Sequence, residues 1–129
     1  MLLLSLSPSP IGPGVASATD PAVVGEAATV IPQAARDEAD SIWKSRCSTC
    51  HGDGGKGDGA AAAALTPHPR DFTQQSWQSS VSDEHIEKII AEGGQAVGLS
   101  MLMPANPDLV AKPDVIKALR AHVRSLGGH

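Results

Sequence analysis

Both cysteines of this chain fall within five consecutive residues, Cys47-Ser48-Thr49-Cys50-His51. Nothing else constrains the fold as much, because whatever the two sulfurs hold must be built into the domain at that point. The rest of the chain leads one to expect such a staple. Its 129 residues suffice for one small domain and exclude a multi-domain enzyme. Its only aromatic residues are Trp43, Phe72 and Trp77, so the core lacks the large side chains that usually fill it. A domain this short buries only about 60% of the surface its unfolded chain exposes, and such domains are often completed by a disulfide, a metal or a cofactor.

Four chemistries compete for the pentapeptide. Two thiols three positions apart near a helix end can each add to one vinyl group of a haem, with the adjacent histidine beneath the iron as axial ligand. A structural zinc ion needs four ligands, and only Cys47, Cys50, His51 and His68 are at hand, without a second pair at finger-like spacing. A thioredoxin-like dithiol belongs at the end of a strand in a βαβ unit, and no strand pattern precedes Cys47. A disulfide across two intervening residues closes a loop too small to restrict the unfolded chain much. The haem reading alone uses all three residues in their order, and it is the expectation taken forward.

Composition divides the chain. Met1 to Leu6 is a short apolar run, followed by Ser, Pro, Gly and Ala as far as Gln33. Ala16-Ser17-Ala18 matches the A-x-A site that signal peptidases cut, although a basic n-region is missing and Pro8, Pro10 and Pro13 interrupt the apolar stretch. Residues 1–18 are expected to be a signal peptide or leader, with a disordered tail as the alternative. Residues 19–35 are expected to be a flexible linker, and 36–127 the folded domain. No stretch approaches the roughly 20 apolar residues that span a bilayer, so the leader offers at most weak anchoring. The net charge is -4, and the 10 basic residues are scattered singly. No basic stripe exists to hold a phosphate backbone, so nucleic acid is not an expected partner.

Within the domain, Ala39, Ile42, Trp43 and Arg46 recur at helical spacing and predict a first helix from Arg36 to Cys47. Gly and Asp dominate from Gly52 to Gly59, a loop able to press against a flat surface. Ala60 to Leu65 is expected to make one or two helical turns, after which Pro67 and Pro69 enforce an extended course. Ser82 is a good N-cap, Val81 and Ile86 suit a hydrophobic staple, Asp83 and Glu84 suit the positive end of the helix dipole, and Gly93 is a stop. Ile86, Ile89 and Ile90 form the buried face of that helix. A last helix begins at Pro113, carries Val115, Leu119, Val123 and Leu126 inward, and ends at Gly127. No strand-like alternation of useful length occurs, so the domain is expected to be all-α.

An iron held by His51 alone keeps an open face. Candidates to close it are Met101, Met103, His68, His85 and His122. His85 and His122 read most simply as ordinary helical residues, and His68, between two prolines, as a surface loop residue. Met101 and Met103 lie in an irregular loop that can reach where helices cannot, and a thioether suits iron opposite an imidazole. Spacing does not separate the two.

These residues resemble the class I, monohaem c-type cytochromes, small electron carriers of the periplasm, over roughly Arg36 to Leu126. The resemblance rests on the CSTCH motif, the Gly52–Gly59 loop, the TPHPRDF segment from Thr66 to Phe72, the Met103-Pro104 pair and the final VRSL from Val123 to Leu126. It implies a cytochrome c fold of three to five short helices wrapped around one haem c, attached through Cys47 and Cys50. It implies His51 and Met103 as axial ligands, Met103 being the methionine followed by proline. It makes Arg70 and Trp77 candidates to bond the haem propionates. It implies a crossing of the first and last helices at Ala39, Trp43 and His122, where relatives usually carry Gly, an aromatic residue, and Tyr or Trp. The Ala60 segment, often Pro in relatives, is expected to offer a backbone carbonyl to the second nitrogen of His51.

The function implied is one-electron transfer between transiently docked redox partners, by a monomer exported to the periplasm or an equivalent compartment, with no catalytic residues. Two alternatives stand beside it: a haem subunit of a larger dehydrogenase or reductase complex, and a peroxidase or gas sensor if the methionine ligand is labile.

Overall fold

The computed structural model describes residues 30–128. The expected leader and most of the expected linker lie outside them. The first helix, α1 (Gln33–Ile42), starts three residues earlier than its periodicity suggested. Ile31 and Ala35 are buried with Ala39 and Ile42, so part of the segment read as linker belongs to the core. Pro32 closes the entry, its carbonyl accepting the Arg36 N–H at 3.1 Å.

The helix then widens. Trp43–Cys47 forms a π-helical turn, in which the Ser48 N–H bonds back to the Trp43 carbonyl, and α2 (Ser48–His51) follows directly. A π turn holds one residue more than an α turn and so shifts the register of everything after it. Here that shift falls immediately before Cys50 and His51. The glycine loop folds back under this end: Gly57, Gly59 and Ala61 donate their amides to the carbonyls of His51, Cys50 and Thr49 at 2.8, 3.0 and 2.9 Å, satisfying acceptors that a helix end leaves open. Gly59 is required there, because a β-carbon would strike the Thr49 and Ser48 carbonyls.

The alanine run makes a single 3-10 turn, Ala62–Ala64. Helix α3 (Gln75–Ser80) has no counterpart in the sequence pattern, being short and almost wholly polar. α4 (Asp83–Glu92) is capped as its sequence predicts: Ser82 Oγ accepts the His85 amide at 3.1 Å, and the helix stops at Gly93. α5 (Pro113–Ser125) has Pro113 in its first turn and buries Val115, Ile116, Ala118, Leu119 and Val123. Among the described residues there is no strand, and the fold is all-α.

α5 packs against both α1 and α4. Ala39 and Trp43 are buried at the first crossing, and the His122 ring lies 4.4 Å from Trp43, tilted 51°. The second contact is tied by ion pairs from Asp83 to Arg120 at 3.1 Å and to Arg124 at 2.8 Å. Gln78, buried in α3, donates to the carbonyls of Phe72 at 2.8 Å and Val123 at 3.0 Å. A buried amide with its hydrogen bonds made ties the α3 segment to α5, and removing it would strand two acceptors.

Candidate functional site

Between these helices lies a mostly apolar cavity of about 600 Å³, within the range that holds small-molecule cofactors. α1 and its π turn supply Trp43 and Cys47, α2 supplies Cys50 and His51, α4 supplies Ile86, Ile89 and Ile90, and α5 supplies Leu119 and Val123. Two irregular segments complete it: Pro67–Phe72, and the loop from Gly94 to Pro104. The local chain explains the placement. Adjacent residues 50 and 51 project from one helical turn, while residues 66–70 follow an irregular course with a bend at Thr66 and Pro67.

His51 is 9% exposed, and burial pushes its imidazole below its ordinary pKa, partly offset by the Arg70 carbonyl. It is therefore neutral at pH 7 and keeps a lone pair for a metal. The Phe72 ring stacks on it with centroids 4.5 Å apart at 23°. Its Nδ1 faces the Arg70 carbonyl at 3.5 Å, the long end of a hydrogen bond. The acceptor for His51 thus comes from the Arg70 peptide and not from the Ala60 segment. Ala61 is engaged elsewhere, donating to Thr49 and accepting from Ala64, while Phe72, held by Gly55 through its amide and by Gln78 through its carbonyl, brings residue 70 to the histidine.

Cys47 and Cys50 are both free thiols lining the cavity. Burial pushes the Cys47 thiol up to about 11, the opposite of the lowered value that makes a reactive redox dithiol. Among the described residues no three His, Cys, Asp or Glu side chains come together as a metal cage. The donor set, two thiols and a neutral imidazole beside a large apolar space, fits a planar ligand that brings its own metal.

Of the five residues considered for the second axial position, Met103 lines the cavity and is half-buried, as is His85, while His68 lines it from an exposed position. Met101 is 70% exposed and does not line it. His122 does not reach it and packs on Trp43 instead. Arg70 is exposed at the rim, and Trp77 lies 5.0 Å from Phe72. Two polar residues of the lining were not anticipated. Arg46 donates to Asp108 at 3.0 and 2.9 Å and to Asn106 Oδ1 at 3.2 Å, and Asn106 Nδ2 donates to the Ile90 carbonyl at 2.7 Å. The residue next to Cys47 is thereby tied to the segment after Met103. No sequence signal marked that pairing across some sixty positions.

The family model described as "Cytochrome C oxidase, cbb3-type, subunit III" matches residues 34–123, more than two thirds of the chain. No curated protein matches it.

Proposed function

The chain belongs to this family of c-type cytochrome domains, which bind haem c covalently and serve electron transfer, and from that premise we propose that it is a one-electron carrier with His/Met axial ligation. Cys47 and Cys50 would carry the covalent links to the haem, and His51 and Met103 would hold its iron. The observation that carries this reading is that Cys47, Cys50, His51 and Met103 all line one apolar cavity of about 600 Å³. Bound there, the haem supplies an iron centre that gains and loses one electron.

The chain's residues do the rest. His51, neutral and stacked under Phe72, presents a fixed nitrogen, and the Arg70 carbonyl holds its other ring nitrogen in the protonated tautomer. Ile86, Ile90, Leu119 and Val123 exclude water and disfavour the extra charge of the oxidised state, and methionine ligation acts in the same direction, so the potential is positive. Arg70, exposed at the rim, and Trp77 would be the candidates to bond the haem propionates. With His51 and Met103 both holding the iron, the group would serve electron transfer during brief docking to redox partners. The acidic balance favours a partner with a basic face.

Among the described residues no helix is long and apolar enough to cross a membrane. Covalent haem attachment of this type takes place outside the cytoplasm, which supports export to the periplasm or an equivalent compartment. One observation favours a second reading: the matching family is described as an oxidase subunit, so the same relay could sit inside a larger redox complex. Co-purification of the native protein with a large enzyme would select it.

The test is the spectrum of protein made with a haem-maturation system. The haem should resist acid-acetone extraction. Met103→Ala should abolish the far-red sulfur-to-iron band and lower the potential, and Met101→Ala should do neither. Extractable haem would refute the attachment, and the reverse pattern in the two variants would transfer the ligand to Met101.

A further inference from the structure

The loop that carries Met103 closes around a single residue. Gly94 spends both backbone polar groups on it, its N–H donating to the Met103 carbonyl at 3.0 Å and its carbonyl accepting the Leu99 N–H at 2.9 Å. Gly94 is buried and lines the cavity. A β-carbon built on it would run into the Ser100 carbonyl and stand 3.2 Å from Met103 Cβ. Its neighbour Gly93 has φ 82 and ends α4, so a substitution there would disturb the helix terminus as well. Gly94 has no such backbone demand, being absent from the positive-φ glycines. What position 94 excludes is volume alone.

We propose that Gly94 is a positioning residue for Met103: the missing side chain is the space into which the loop closes, and closure sets the methionine in the cavity. This rests on the reading of Met103 as axial ligand. Any side chain at 94 pushes the Ser100 carbonyl outward and parts the Gly94–Met103 bond. The His51 wall, which shares no hydrogen bond with Gly94, stays in place. A glycine that serves only to end a helix would not couple to the ligand in this way.

Holoprotein carrying Gly94→Ala is compared with Met103→Ala and with Gly54→Ala, a position where a β-carbon meets nothing within 4 Å. Gly94→Ala should keep its covalent haem and helical circular dichroism, lose most of the far-red band, and bind carbon monoxide when reduced, as Met103→Ala does. Gly54→Ala should behave as wild type. A full band and no carbon monoxide binding in Gly94→Ala, while Met103→Ala loses the band, would overturn the seat alone. A band retained in Met103→Ala would remove the axial reading and the seat with it. If Gly94→Ala does not accumulate, amide exchange on the wild-type holoprotein decides. Imidazole sufficient to bleach the band should speed exchange at the Gly94 amide more than tenfold and leave Gly57, bonded to the His51 carbonyl at 2.8 Å, unchanged. Unaltered exchange at Gly94 would refute the proposal.

Discussion

On the wall that carries His51, rings press on rings: Phe72 stacks at 4.5 Å on the histidine, with Trp77 5.0 Å from Phe72 and Trp43 6.3 Å from His51. The loop that carries Met103 has no aromatic residue, is closed by backbone hydrogen bonds around Gly94, and leaves Leu99, Met101 and Leu102 exposed. Packed side chains resist displacement because moving one opens a cavity among many contacts. A loop held by a few backbone bonds yields locally, with little loss elsewhere. The two walls should therefore fail in different ways, one by unfolding and the other by letting Met103 leave the cavity.

The strongest challenge to that contrast is Phe72→Ala. Truncating a buried phenylalanine costs about 3–5 kcal/mol, and here it also unseats the ring stacked on His51. Denaturant unfolding of the holoprotein should show a loss of that size, with the far-red band still present in the fraction that remains folded. A variant that loses the band but not stability would mean that the walls are coupled.

A smaller effect is expected at the helix crossing. Burial lowers the His122 pKa, with Asp40 pulling weakly the other way. The native state therefore favours the neutral ring, whereas the unfolded chain takes up a proton at the ordinary histidine value, so stability is lost as pH falls below about 6.5 toward the depressed value. Urea unfolding of wild type and His122→Phe across that range should show a flatter pH dependence in the variant. Parallel curves would remove His122 from the account. Its Nε2 and the Trp43 Nε1 are both buried without a partner, so phenylalanine strands no additional polar atom at position 122.

The smallest effect belongs to the tether on the Met103 side. Arg46 and Asp108 are exposed enough for solvent and salt to screen them. Asp108→Asn should leave the unfolding midpoint unmoved and raise imidazole affinity at the iron by less than tenfold, a difference that high salt should erase. A large drop in stability would show that the loop is held more firmly than its backbone bonds suggest.

Much of this could be read from residue order. The pentapeptide names its own chemistry, and Ser82, Gly93 and Pro113 mark helix ends by local hydrogen bonding and fixed dihedrals. Other features were silent for identifiable reasons. The start of α1 was hidden because Ala35 and Ile31 sit in a stretch whose composition suggests a linker, and only packing against the core makes it helical. α3 was hidden because Gln78 is a polar residue buried for its hydrogen bonds, which no apolar period reports. Arg70 was singled out for its guanidinium, yet the group nearest His51 is its backbone carbonyl, and every residue has one.

Residue identities and spacings alone specify the attachment chemistry, the helical class and the caps, because those depend on groups within a few positions of one another. The π turn before Cys50, the carbonyl that faces His51 and the void at Gly94 were settled by folding. Each depends on atoms distant in the chain competing for one space, and linear order does not record which of them gets it.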